Sequence, residues 1–124
     1  MRAFRIRRVK AALLAAAAAM AFTAPAAHTQ ARAWACDPWA FCGYYFNGGE
    51  GAHLSLKRGA SDLLEVAQGR LSDHVWSVKN ISGRTWCLYS RPQYQDEITK
   101  ILDGYIGDLD QWVKDRGVRS LRAC

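Results

Sequence analysis

The chain has 124 residues, with 17 Lys or Arg against 11 Asp or Glu, a formal net charge of +6, four cysteines and five tryptophans. Six of the 17 basic residues and none of the 11 acidic ones lie in positions 1–33, so a chain beginning at Trp34 carries 11 of each sign. The basic excess belongs to the leader, and neither nucleic acid nor, after the leader is cleaved, a membrane is expected as a partner.

Arg2, Arg5, Arg7, Arg8 and Lys10 precede an apolar run from Ala11 to Phe22, which reads as a secretory signal peptide over residues 1–33. Spanning a bilayer takes roughly 20 apolar residues, so this run is too short for an anchor. Cleavage after Ala33 fits Ala31-Arg32-Ala33, while cleavage after Ala26 or Ala27 lies closer to the apolar run. The expected product is secreted and extracellular, one small domain over residues 34–124.

A domain of that size has a limited core and commonly needs covalent support outside the cell. Cys36, Cys42, Cys87 and Cys124 supply it. Three pairings are formally possible, and Cys36–Cys42 with Cys87–Cys124 is favoured. A zinc site is disfavoured, because the spacings do not resemble paired C-x₂-C knuckles and export favours disulfides.

Trp39–Phe46 is aromatic and strand-like, Asn47-Gly48-Gly49 is a turn, and His53–Lys57 alternates with period two. Arg58-Gly59-Ala60 forms a second turn, after which Ser61 is expected to cap one helical turn over Asp62–Val66. Val75–Lys79 is a strand, followed by turn residues Asn80, Ser82 and Gly83. The Asn80-Ile81-Ser82 match to a glycosylation acceptor reads as part of that turn. Strands are then expected over Trp86–Ser90 and Glu97–Leu102, with turns at Arg91-Pro92 and Asp103-Gly104. A helical turn over Asp108–Trp112 and a last strand over Val118–Arg122 complete the chain.

These elements repeat. Phe41-Cys42-Gly43-Tyr44 aligns with Trp86-Cys87-Leu88-Tyr89, Ser61-Asp62-Leu63 with Gly107-Asp108-Leu109, and His74–Lys79 with Gly117–Arg122. Three ordered matches at about 45 residues indicate a duplication, with one repeat over 34–81 and the other over 84–124. Four strands per repeat gives an all-β, disulfide-stabilised sandwich of two Greek keys.

The order of features resembles the βγ-crystallin fold: aromatic-Cys-x-Tyr, a Gly turn, x-Asp-Leu, and a hydrophobic-x-Ser-hydrophobic strand closing each repeat. With the leader and the C-x₅-C pair, the chain most resembles the small secreted bacterial branch named after its metallopeptidase inhibitors. The resemblance implies two activities. Calcium binding uses two Asp or Asn, two variable positions, Ser or Thr, then Ser, once per repeat. Here the copies are Ser72-Asp73-His74-Val75-Trp76-Ser77 and Asp115-Arg116-Gly117-Val118-Arg119-Ser120. Trp76 and Arg119 stand where hydroxyls belong, so both copies read as degenerate, with Asp73 and Asp115 capping turns and Ser77 and Ser120 satisfying backbone.

The other implied activity is inhibition of an extracellular peptidase. A rigid exposed loop suits it, because little ordering entropy is lost on docking. Asp37, Pro38, Trp39, Ala40 and Phe41, inside the shorter cysteine loop, form the candidate binding loop; Trp39 and Phe41 match a cleft for bulky apolar residues. The competing reading buries Trp39 or Phe41 at the start of the first strand. Two further functions compete: a structural or stress-related domain with decayed calcium sites, and a carbohydrate-binding module using an exposed Trp34 or Trp39. Trp76, Trp86 and Trp112 are assigned to the core. No HExxH, GxSxG or Gly-rich phosphate loop occurs in the chain, and His53 and His74 have no expected free cysteine nucleophile, so the protein is not expected to be an enzyme. No cofactor is expected, and the domain is expected to be monomeric.

Overall fold

The structure is a computed structural model that describes residues 32–124; the predicted leader up to Ala31 lies outside the described residues. Strand β1, Phe41–Tyr44, is buried at all four positions. It shows no inside-outside alternation because both faces are covered. Phe41 faces the main core, while Cys42 and Tyr44 pack with Ala40 against the incoming Trp34 and Cys36.

β1 pairs antiparallel with β2, His53–Leu56, and with β3, Ser77–Asn80. From the second repeat come β4 (Trp86–Arg91), β5 (Gln95–Ile101), β6 (Ile106–Asp108) and β7 (Ser120–Ala123). The two sheets have the orders β2-β1-β3-β6 and β5-β4-β7. β6 has therefore crossed to the sheet of the first repeat, and Ala60 of the first repeat bridges to Leu121 in the sheet of the second. Each repeat lends a piece to the other's sheet, so neither buries its apolar face alone. This is the two-repeat Greek-key sandwich expected from the duplication. The expected fourth strand of the first repeat is reduced to the single bridge at Ala60.

Between the sheets, Phe41 and Trp86 stack with centroids 4.7 Å apart and planes 17° from parallel. They are equivalent residues of the two repeats, and both are fully buried. The repeats match again at Ser77 and Ser120. The Ser77 hydroxyl donates to Phe46 O at 2.6 Å and accepts from Gly49 N at 2.9 Å. Ser120 does the same with Arg91 O at 2.6 Å and Tyr94 N at 3.1 Å. Each serine thus folds its hairpin back onto its own sheet by satisfying groups that would otherwise be buried unpaired.

Several local assignments differ from expectation: β1 begins at Phe41 instead of Trp39, and β6 was not expected. Asp62, not Ser61, caps the first helical turn, its carboxylate accepting from Leu64 N at 2.9 Å over a 3₁₀ turn at Leu63–Glu65. The second helix, α1, is Gln111–Arg116, displaced from Asp108–Trp112 because Asp108 is held in β6 opposite Ser77. Trp112 on α1 is 50% exposed, not a core residue, since Val113 is the residue α1 buries. Trp76 is half-buried, stacked on His74. Asn80 is fully buried: its amide donates to Arg84 O at 2.8 Å and Ile101 O at 3.0 Å, leaving nothing for a glycan.

The disulfides are Cys36–Cys42 and Cys87–Cys124, separated by 6 and 37 residues. Chain-entropy arguments give about 2 kcal/mol for the short loop and about 4 kcal/mol for the long one. Replacing Cys87 and Cys124 by Ala is expected to lower the denaturation midpoint more than replacing Cys36 and Cys42, measured by urea titration of the two double variants. Ser77→Ala and Ser120→Ala are each expected to cost about 1–3 kcal/mol in the same assay.

Candidate functional site

The segment before β1 is tied down at many points. Trp34 N donates to Gly49 O at 2.8 Å, Lys79 Nζ donates to Trp34 O at 3.1 Å, and the Tyr44 hydroxyl donates to Ala35 O at 2.6 Å. The Trp34 ring lies over Gly49, where an added Cβ would come within 2.3 Å of it, so only glycine fits. Burial raises the Tyr44 hydroxyl pKa to about 12, which extends the pH range over which it stays a neutral donor.

The chain then turns through Pro38 and Trp39. Asp37 N donates to Ser55 Oγ at 3.2 Å, and Ile81 N donates to Ala40 O at 3.1 Å. With the Cys36–Cys42 bridge, these contacts hold both ends of the turn. Pro38 has its φ fixed by the ring, and Trp39 is forced to φ +60°, a left-handed conformation disfavoured for a bulky residue by about 1–3 kcal/mol. Its indole is 72% exposed.

The candidate loop therefore divides. Asp37, Pro38 and Trp39 are exposed, while Ala40 and Phe41 are buried at and just before the start of β1. The reading that buries one of the two aromatics holds for Phe41 and fails for Trp39. Five residues cannot lie extended across a cleft, as a substrate would; the turn offers one large side chain.

Sequence reasoning missed what stands beside that indole. Ile81, Asp103 and Gly104 join Pro38 and Trp39 around a shallow groove. These residues come from turns more than 40 positions from Trp39 in sequence, and no local motif marks them. Trp34 does not form a second exposed platform, because it is half-buried and edge-on to Tyr44 at 5.5 Å. The paired exposed indoles that a sugar-binding reading requires are absent from Trp34 and Trp39.

The calcium motifs do not fit the ion. Ser77 and Ser120 spend their hydroxyls on the hairpins, and Asp115 accepts from Gln111 Nε2 at 3.0 Å. Asp73 sits at φ +61° with its N–H donating to Val118 O at 2.9 Å, a turn role. Trp76 fills one hydroxyl position as a stacked ring. At the other, Arg119 places its guanidinium 2.7 Å from the Asp62 carboxylate, a fixed cation where a metal would need free oxygen. Among the described residues, no three His, Cys, Asp or Glu side chains converge as metal ligands.

Hydrogen bonding from Arg119, then from Leu64 N–H, holds the Asp62 carboxyl below the usual range. Its folded value is lowered, so the stability it contributes is present above the unfolded value of about 3.9 and disappears as pH falls through the lower folded value. The Tm deficit of Asp62→Asn is therefore expected to be full at pH 7 and to shrink below about pH 4, read by thermal melts of both proteins. Millimolar calcium is expected to leave the Tm of the oxidised domain unchanged, and a rise of several degrees would contradict the assignment of Arg119.

A sequence model described as peptidase inhibitor family I36 matches residues 29–101. No curated protein sequence matches significantly. Among solved structures, a βγ-crystallin from Ciona intestinalis is 19% identical, with a TM-score of 0.58, over 68% of this chain and 99% of that one. The N-terminal domain of Protein S is 17% identical with a TM-score of 0.56, over 68% and 94% of the two chains. A double mutant of a βγ-crystallin domain from Clostridium beijerinckii is 19% identical with a TM-score of 0.57, over 67% and 93%. At these identities the likeness shows the fold, which is that of βγ-crystallin domains.

Proposed function

Because the chain belongs to peptidase inhibitor family I36, we propose that it blocks its target peptidase with the disulfide-clamped Asp37–Trp39 turn, the Trp39 indole filling an apolar specificity pocket. The protein is an inhibitor and not an enzyme, and its partner is a peptidase. The observation that carries the assignment of the turn is Trp39 itself, a large apolar side chain held outward at 72% exposure on a strained and clamped backbone.

Burying most of an indole of roughly 200 Å² at about 25 cal/mol per Å² contributes roughly 3–5 kcal/mol before association entropy is subtracted. Because the backbone on either side is already fixed, little of that is spent on ordering the turn. A pocket for bulky apolar residues is the natural acceptor, which favours a thermolysin-type metallopeptidase over enzymes selecting small or charged residues. Since Ala40 and Phe41 stay locked in and beside β1, the turn obstructs the cleft without presenting a scissile bond in extended form. The leader is read as an export signal of a bacterial cell, so inhibition takes place outside that cell, by a monomer.

Stoichiometric inhibition of a thermolysin-type enzyme is expected from the oxidised chain, with Trp39→Ala raising the inhibition constant about 100-fold or more, as for a central anchor residue. Phe41→Leu is expected to lower stability and leave inhibition by the folded fraction intact. Mass spectrometry after long incubation is expected to find the segment between Cys36 and Cys42 uncut. Inhibition that is indifferent to Trp39 would remove this turn from the contact.

A further inference from the structure

Against the Trp39 indole lies a groove of about 460 Å³, walled by Pro38, Trp39, Ile81, Asp103 and Gly104. The groove is mostly apolar, and Asp103 is the one charged residue at its edge. Asp103 Oδ1 accepts from Gly83 N at 2.8 Å, which fixes the carboxylate, and Asp103 takes part in none of the ion pairs among the described residues. Gly83, at φ +87°, lies beneath the indole, where an added Cβ would be 3.8 Å from the ring. Gly104 N donates to Asn80 O at 2.8 Å, so the turn carrying Asp103 is itself pinned to a buried residue.

The chemistry of these walls selects an occupant. A purely apolar group would offer no counter-charge to Asp103, whose one hydrogen bond comes from Gly83 N–H, and would gain nothing from that wall. A side chain with an aliphatic stem and a planar cationic head matches every wall: the stem on Pro38 and Ile81, the plane on the indole, and the donor fork on the carboxylate. We propose that this groove receives an arginine side chain from the rim of the peptidase cleft, so that Trp39 enters the enzyme while an arginine of the enzyme enters the inhibitor. The identity of the partner rests on the inhibitor reading above; the chemistry of the groove does not.

The test titrates the ¹⁵N-labelled oxidised chain with N-acetyl-L-arginine methylamide at low salt, following the Trp39 indole N–H and the Gly83 and Gly104 amides by NMR. The citrulline analogue, neutral but of the same shape, and the leucine analogue serve as controls. Saturable shifts at these three groups are expected, with citrulline about tenfold weaker, the combined scale of one exposed cation–π contact and one exposed ion pair. Asp103→Asn keeps an oxygen for Gly83 N–H and removes the charge, so it is expected to cut the preference for arginine to the roughly threefold that the indole alone supplies, in a chain whose spectrum is otherwise unchanged. Equal binding of arginine and citrulline, tighter binding of leucine, or no shift at the three groups would overturn the proposal. Loss of inhibition in Trp39→Ala alongside a flat arginine titration would remove the groove and leave the inhibitor reading standing. Selective arginine binding by a chain that inhibits no peptidase would do the reverse.

Discussion

The stack of Phe41 on Trp86 is the contact on which the rest of the domain depends. The two rings occupy the same position in each repeat, and each opens an interior strand of its own sheet. Fully buried and nearly parallel, they fix the sheet separation and the relation between repeats with one interaction. The exchange of β6 and Ala60 across the sheets then closes the sandwich around them. Duplication thus turns a unit too small to bury its own face into a domain whose main core draws on both repeats.

Placing Phe41 in that core also decides where Trp39 goes. Phe41 points inward, Cys42 points to the opposite face and is bridged to Cys36, and Ala40 O is held by Ile81 N–H. Only three residues remain to reverse the chain, and Pro38 takes one of them with a fixed φ. Trp39 is left in a left-handed conformation with its indole in solvent, and the surrounding bonds compensate the strain. A stable core and a strained, exposed indole are consequences of the same geometry, and that indole is what the proposed inhibitory surface is built on. The two calcium-type motifs present no such side chain: their serines hold hairpins, and Arg119 is paired with Asp62.

Much of this was legible in the residues. The duplication, the Gly turn at 47–49, the two-sheet class and the loss of hydroxyls at Trp76 and Arg119 all follow from local chemistry in ordered repetition. β6 was not legible, because Ile106-Gly107-Asp108 has no alternation to read. A Cβ at Gly107 would displace the Tyr105 hydroxyl, which lies 2.9 Å from that position and donates to Asp108 O. Trp112 looked like core because tryptophan usually is, yet its neighbour Val113 is the one directed inward. The fates of Trp39 and Phe41 could not be separated in advance, since a strand covered on both faces loses the period-two signal. The groove was invisible for another reason: Asp103 and Gly104 reach Trp39 only through the crossing of the repeats.

The central claim is that the Trp39 turn is the part of the molecule that enters the peptidase. A crystal structure of the oxidised chain bound to an enzyme it inhibits tests this most directly. The account predicts Trp39 buried in the substrate cleft, with the turn keeping its left-handed residue and the Cys36–Cys42 bridge intact. A complex in which another face fills the cleft and the Trp39 indole stays in solvent would contradict it.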